Sequence, residues 1–273
     1  MRTLTLRTEP PLPLEAPQLA PERLQGQSHA EIAAIPLLLG NRTVPLGEWF
    51  TITGDPASDH LVIVGNCARI KRIGEGMTRG TLTLEGDAGM HLGAMLAGGT
   101  IEVRGHVGDW AGAEMRGGHL HIRGNAGNNA AGAYRGSRKG MRGGVMLIDG
   151  NAGHEVGAIM RRGILAIGGS VGDFAGCDMI AGTLVGYGAF GSRCGAGVKR
   201  GTILALGESP ERISTFPFDC LGEPVYPVLL QLHLRQLGFP AAQREPFRRF
   251  ARFSGDRLLF GKGELLIATQ SAS

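Results

Sequence analysis

Residues 99–117 read GTIEVRGHVGDWAGAEMRG, and the chain starts over at once with GHLHIRGNAG at 118–127. Glycine inside a strand or helix costs roughly 0.5–1 kcal/mol relative to alanine. Glycines placed this regularly must therefore serve a geometric need. Gly80, Gly99 and Gly118 are spaced by 19 residues, Gly118 and Gly144 by 26, and Gly144, Gly163, Gly182 and Gly201 again by 19. A looser copy, LVIVGNCARIKRIGEGMTR, occupies 61–79. A fixed period of this length marks a solenoid, in which each unit buries its apolar face only against its neighbours.

Within the period the pattern G-x-x-G-x-x-x-G recurs as Gly86/Gly89/Gly93, Gly105/Gly108/Gly112, Gly150/Gly153/Gly157 and Gly169/Gly172/Gly176, with Gly188/Gly191/Gly195 after them. Nineteen residues are too few for a helical hairpin repeat. After each boundary the apolar residues fall at i, i+2: Leu82 and Leu84, Ile101 and Val103, Leu120 and Ile122, Met146 and Ile148, Leu165 and Ile167. That is the period of a strand with one buried face. Equivalent strands stack in parallel about 4.8 Å apart. The glycines sit at corners, where φ is positive or a tight bend leaves no room for Cβ. The expectation is an all-β chain: a right-handed, single-stranded parallel β-helix of about seven coils. The hand follows from the rule for parallel crossovers. Two further columns read as interior ladders: Ala88, Val107, Ala126, Ala152, Val171, and Met77, Leu96, Met115, Met141, Met160, Met179, Val198.

The flanks read as caps, because the open ends of a solenoid must be covered. Residues 1–58 form a proline-rich N-terminal segment in which SHAE at 28–31 is a capping box and WFTITGD at 49–55 is a strand over the first coil. Residues 59–207 form the repeat array, with the extra residues near 135–141 projecting as a loop. Residues 208–273 supply a capping helix over YPVLLQLHLRQLGF (226–239) and a basic tail. REPFRRFARF reads as a further amphipathic helix, with Phe247, Phe250 and Ala251 on one face and Arg248, Arg249 and Arg252 on another.

The chain has 46 glycines in 273 residues and a formal charge of +4, all of which falls between Pro240 and Gly263. No apolar stretch approaches a membrane span, and Cys67, Cys177, Cys194 and Cys220 form no C-x-x-C pair. The expectation is a cytoplasmic protein with reduced thiols that binds neither membrane nor nucleic acid. No set of acid, base, nucleophile and metal ligand converges, so no catalytic residue and no metal site is assigned. His119 and His121 form H-x-H on the outer face of a strand and lack a third ligand. Asp87, Asp109, Asp173, His106 and His154 recur at corners, where turn-capping accounts for them. One exposed column invites a ligand. Arg116, Arg142 and Arg161 recur once per coil, beside Arg135, Arg138 and Lys139 of the insertion, and stacked like charges repel.

The repeat in EGDAGMHLGAMLAGGTIEVRGHVGDWAGAEMRGG (85–118) resembles the β-helix domain of the glutamate synthase large subunit. PLGEWFTITGD at 45–55, the seven-unit array and PVLLQLHLRQLGF at 227–239 look more like the C subunit of formylmethanofuran dehydrogenase, which in bacteria belongs to a formyltransferase/hydrolase complex. The resemblance implies a non-catalytic subunit alongside an amidohydrolase-like and a formyltransferase subunit. Those partners pass a formyl group from tetrahydromethanopterin to a methanofuran- or methylofuran-type cofactor and release it as formate. It also implies that this chain binds no cofactor tightly and that the carrier has a glutamate-rich, polyanionic tail suited to the arginine column. A tungsten or molybdenum version of the complex and a glutamate synthase-like structural domain are the alternatives.

Overall fold

The computed structural model describes residues 1–211 and 213–269. The N-terminal part runs β1 (Arg2–Leu6), β2 (Leu14–Glu15), α1 (Pro21–Leu24), α2 (His29–Ala33), β3 (Pro36–Leu39), β4 (Arg42–Pro45), α3 (Leu46–Trp49) and β5 (Phe50–Gly54). The repeats supply β6 (His60–Val64), β7 (Ile70–Lys71), β8 (Thr81–Glu85), β9 (Thr100–Val103), β10 (His119–Ile122), β11 (Arg142–Ile148), β12 (Arg162–Ile167), β13 (Thr183–Gly186) and β14 (Arg200–Ala205). The C-terminal part adds β15 (Phe218–Gly222), α4 (Val225–Gln236), a 3-10 turn (Pro240–Gln243), β16 (Phe250–Ser254) and β17 (Lys262–Ala268).

Thirteen strands form one sheet in the order β15-β16-β17-β14-β13-β12-β11-β10-β9-β8-β6-β1-β5. From β6 to β14 neighbouring strands are parallel, and equivalent residues of successive units face one another: Thr81 opposite Thr100, Thr100 opposite His119, His119 opposite Val145. A second line of parallel contacts runs Cys67, Ala88, Val107, Ala126, Ala152, Val171, Phe190. On a third line, the N–H groups of Arg116, Arg142, Arg161 and Ile180 donate to the carbonyls of Leu96, Met115, Met141 and Met160. Between these lines lies the core. Leu82, Ile101, Leu120, Met146, Leu165, Leu184 and Ile203 form one fully buried rail, and the methionine column from Met77 to Met179 forms another.

The glycines of the repeated motif sort into three columns with two different causes. In the first column, Gly86, Gly105, Gly150 and Gly169, the preceding unit lies too close for a side chain. At Gly105 a Cβ would sit 2.5 Å from the Gly86 carbonyl oxygen and nearer still to Asp87 Oδ1, while Gly150 and Gly169 would meet Asn125 Oδ1 and Asn151 Oδ1 in the same way. The second column, Gly89, Gly108, Gly153 and Gly172, presses on backbone. The obstacles are Ile70 O at 2.5 Å, Met90 N at 3.0 Å, Asn128 N at 2.8 Å and Gly153 C at 2.7 Å respectively. The third column departs from the simple picture of a crowded bend. Gly93, Gly112, Gly157 and Gly176 have φ between 58° and 67°, and a Cβ there would touch only the ends of core side chains at 3.0–3.3 Å. Left-handed backbone rather than close approach selects glycine at those four.

Left-handed backbone is not confined to glycine. His91, Trp110, Asn129, Glu155, Phe174 and Arg193 share one corner of successive units, all with φ between 56° and 65°. Such a residue is unfavourable by about 1–2 kcal/mol, and from His91 to Phe174 each N–H is fixed by the next unit. Trp110 donates to Asn128 O at 2.8 Å and Phe174 to Ser192 O at 2.9 Å.

The flanks depart from expectation in two ways. Phe50–Gly54 is a strand, but it does not lie against the first repeat strand. RTLTL at 2–6 is inserted there, parallel to β6, with β5 antiparallel on its outer side. Arg2, 1% exposed, pins this strand by donating to the carbonyls of Leu24, Gln27 and Pro56. The helix expected over FRRFARF is absent: residues 247–249 are irregular and strand β16 begins at Phe250. Phe250 and Phe253 are both buried, and pairing with β17 from Phe250–Ala268 to Ser254–Glu264 satisfies the backbone that a helix would have satisfied locally. β17 in turn continues the parallel run beyond β14. The capping box at Ser28 and Glu31 is present, and Val225–Gln236 is helical.

Candidate functional site

The corner residues Asp87, His106, Asp109, His154 and Asp173 are spent on the backbone. Asp87 Oδ1 accepts from His106 N–H (2.7 Å), His106 Nδ1 from Asn125 N–H (2.9 Å), Asn125 Oδ1 from Asn151 N–H (2.8 Å) and Asn151 Oδ1 from Ser170 N–H (2.8 Å). A parallel ladder runs Asp109, Asn128, His154, Asp173, Ser192 at 2.7–3.0 Å. The Ser192 N–H holds the Asp173 carboxyl below its ordinary range. These side chains act as rungs between units.

The H-x-H pair is placed differently from the sequence reading. His121 is not on a free surface: it is 3% exposed, because α4 and the Pro240–Gln243 turn lie over that side of the sheet. Leu230, Leu234 and Phe239 pack there against Leu147, Ala166 and Val185 in a second hydrophobic cluster. His121 Nε2 meets Asp149 Oδ1 at 2.7 Å, and its ring lies 6.4 Å from that of Phe239. Among the described residues no three His, Cys, Asp or Glu side chains are grouped to hold a metal ion.

Burial, first, and then His121, Arg123 and His233 press the His119 imidazole below its ordinary 6.5, with Glu102 pulling the other way. Below about pH 6.5 the unfolded chain therefore takes up a proton that the folded chain resists. Stability falls as the pH drops from there toward the depressed native value. Replacing His119 with glutamine is expected to flatten that part of the curve. Urea midpoints of both proteins between pH 7 and 4.5 check this.

The arginine column gathers on the third backbone line. Arg142, Arg161 and Arg162 line a groove of about 410 Å³ with Ile180 and Ala181. Arg116 is exposed one unit away. Among the described residues none of these four guanidinium groups has a carboxylate partner. Arg161 Nε donates to Arg138 O at 3.0 Å, which ties the insertion to the groove. Arg142 Nε is shielded from water and has no hydrogen-bond partner among the described residues. An unsatisfied buried donor is unfavourable by about 1–3 kcal/mol. Arg135, Arg138 and Lys139 are exposed on the loop.

No family model matches the chain. Among curated proteins, it is 38% identical over 95 residues to the C subunit of tungsten-containing formylmethanofuran dehydrogenase 2 from Methanothermobacter thermautotrophicus, covering 33% of this chain and 35% of that protein. It is 42% identical over 83 residues to the C subunit of molybdenum-containing formylmethanofuran dehydrogenase 1 from Methanosarcina barkeri, covering 29% of this chain and 28% of that one. These matches span about a third of the relatives' length. A chain of the formyltransferase/hydrolase complex from Methylorubrum extorquens, solved in complex with methylofuran, superimposes with a TM-score of 0.90 at 36% identity. That match covers 98% of this chain and 100% of the other. The chain belongs to the family of formylmethanofuran dehydrogenase C subunits.

In this member of the family one groove residue escaped the sequence reading. A register shift between Arg142 and Val145 places Arg142 opposite Arg162 in the ladder, one position later than the column of Arg116, Arg142 and Arg161 implies. The doubled Arg161-Arg162 was the only trace of it in the sequence.

Proposed function

We propose that this protein is a non-catalytic scaffold subunit of a formyltransferase/hydrolase complex that carries the formyl group of formyl-tetrahydromethanopterin to formate on a furan-type carrier. The partners are an amidohydrolase-like and a formyltransferase subunit. The chain winds as a right-handed parallel β-helix of seven coils over about 59–207, flanked by the caps at 1–58 and 208–273, and works in the cytoplasm. The 19-residue parallel register supports the winding, and four free cysteines agree with the compartment. Among the described residues no helix is long and apolar enough to cross a membrane. Side chains that would hold tungsten or molybdenum are not gathered among the described residues. Burial pushes the Cys67, Cys177 and Cys194 thiols up to about 12, far from the thiolate a metal needs.

The observation that carries the reading is the groove of uncompensated guanidinium groups with its shielded Arg142 Nε. Its chemistry fits the polyanionic tail of a methylofuran-type cofactor. When bound, such a carrier supplies an amine that accepts the formyl group and yields it to water as formate. Arg142, Arg161 and Arg162 hold the carboxylates of the tail, while Arg116, Arg135, Arg138 and Lys139 extend the positive track. Exposed pairs contribute about 0.2–1 kcal/mol each and weaken with salt. The tail is thus held loosely enough for its reactive end to travel.

Exchanging Arg142, Arg161 and Arg162 together for glutamine is expected to leave the complex assembled. Cofactor retention at low salt should fall roughly 3- to 150-fold, the sum of three such pairs. Unchanged retention at low salt overturns tail binding. Loss of assembly makes the ridge a subunit interface instead.

A further inference from the structure

The two edges of the large sheet are treated differently. At one edge α2 and α3 flank β5, and a His29 ring nitrogen meets the Gly54 carbonyl at 3.0 Å. At the other, β15 pairs only with β16, and no described strand lies on its outer side. An open edge presents a row of backbone donors and acceptors, and proteins usually guard it with lysine, proline or a covering element. β15 reads FDCLG, without lysine or proline; its one irregularity is a register shift against β16 between Phe218 and Cys220, and its single charge, Asp219, is engaged by Arg252 at 3.5 Å.

Uncovered apolar surface adjoins this edge. Phe218 and Leu221 on β15 are 56% and 52% exposed. On α4, Val225 and Leu229 are 69% and 60% exposed, on the face opposite the buried Pro227, Leu230 and Leu234. From β15 a groove of about 670 Å³ runs inward over β16, β17, β14 and the start of β13, with Phe250, Leu266 and Tyr226 in its walls and Cys220, Glu223 and Glu264 among its polar groups. Across groove and edge stand three carboxylates and one guanidinium: Arg252 pairs with Asp219 and Glu264, while Glu223 separates this groove from a second one that holds Arg248 and Arg249. Hydrogen-bonding edge, side-chain groove and acidic rim together are what strand addition requires: the main chain binds the edge and alternate side chains fill the pocket.

We infer that β15 accepts an extended segment of a partner subunit, alternating apolar and basic residues, which adds a strand to the sheet. A second copy of this chain fits poorly, because it would bring its own Asp219 and acidic rim against the first. The inference rests on the proposed place in a hetero-oligomer.

Cys220 is the natural reporter. It is exposed and central in β15, whereas the other three thiols are pushed up to about 12 and react slowly at neutral pH. The experiment measures N-ethylmaleimide labelling of Cys220 in the full chain alone and in the complex reassembled with its formyltransferase and hydrolase subunits. At least tenfold slower labelling in the complex, with a several-fold loss of assembly for Glu223→Lys, supports strand addition. Labelling at the free-chain rate in an assembled complex overturns it and leaves the subunit reading intact. Protection that grows with concentration of the isolated chain overturns it in favour of self-association. Failure of the unaltered chain to bind those subunits at all removes the subunit reading and this inference with it.

Discussion

Replacing Gly118 with valine is expected to destabilise the protein by about 3–5 kcal/mol, a left-handed β-branched residue and an overpacked contact together. At φ +75° a Cβ would stand 2.8 Å from the Gly99 carbonyl oxygen and 3.0 Å from the Gly98 carbonyl carbon. Neither side can give way. Gly99 O accepts from His119 N–H at 2.9 Å, and Gly118 O accepts from Val145 N–H at 3.1 Å, so a shift breaks the register of two neighbouring strands. Gly136 separates the two contributions, since its φ is +83° but nothing lies within 4 Å of a Cβ there. Gly136→Val should lose only the conformational part, about 1–2 kcal/mol. Urea unfolding of the two variants, with unchanged slopes, measures the difference. Equal losses would mean that close approach contributes nothing at Gly118.

Phe239→Ala should lose about 3–5 kcal/mol, the usual range for emptying a buried phenylalanine site, but in a different place. Phe239 is fully buried, with its ring 5.7 Å from Tyr187 and 6.4 Å from His121, and it joins α4 to the outside of the sheet. Its cluster is separate from the one inside the repeats. Hydrogen exchange should therefore speed up in α4 and the Pro240–Gln243 turn while β8 to β10 stay protected. Equal deprotection of both would show that the two clusters open as one unit.

The strands β8 to β14 were legible because their signal is local and repeated. Leu82, Ile101 and Leu120 recur at one interval, and each has its i+2 partner on the same buried face. The corner residues were legible as polar positions only: turn-capping was expected, whereas Asp87 and His106 accept from N–H groups one unit further on. What failed depends on parts of the chain that meet only after folding. RTLTL alternates too briefly to reveal that it slots between β5 and β6. Phe247 and Phe250 suit a helix as well as a strand until β17 arrives to pair with β16. His121 looks solvent-facing until Phe239 covers it. Arg162 joins the groove through a one-residue register shift that spacing cannot anticipate. Spacing likewise treats Gly108 and Gly112 alike, although a neighbouring backbone crowds the first and a left-handed turn shapes the second. Trp110 and Phe174 occupy a backbone region that side chains rarely visit, fixed by hydrogen bonds from the next unit.

The 26-residue unit carries both corner ladders across without a break. Asn125 still receives the Asn151 N–H at 2.8 Å and Asn128 the His154 N–H at 2.9 Å, as close as rungs spanning 19 residues. The surplus leaves through one corner, where Gly136 has open space around it. Length along the axis and breadth at a corner are thus independent coordinates of growth: new rungs lengthen the stack, whereas new loops decorate it without resetting its phase. The junction of Gly136 and Ser137 is a permissive splice point, where a foreign peptide or small folded module could be grafted beside the arginine groove while the stack below keeps its pitch.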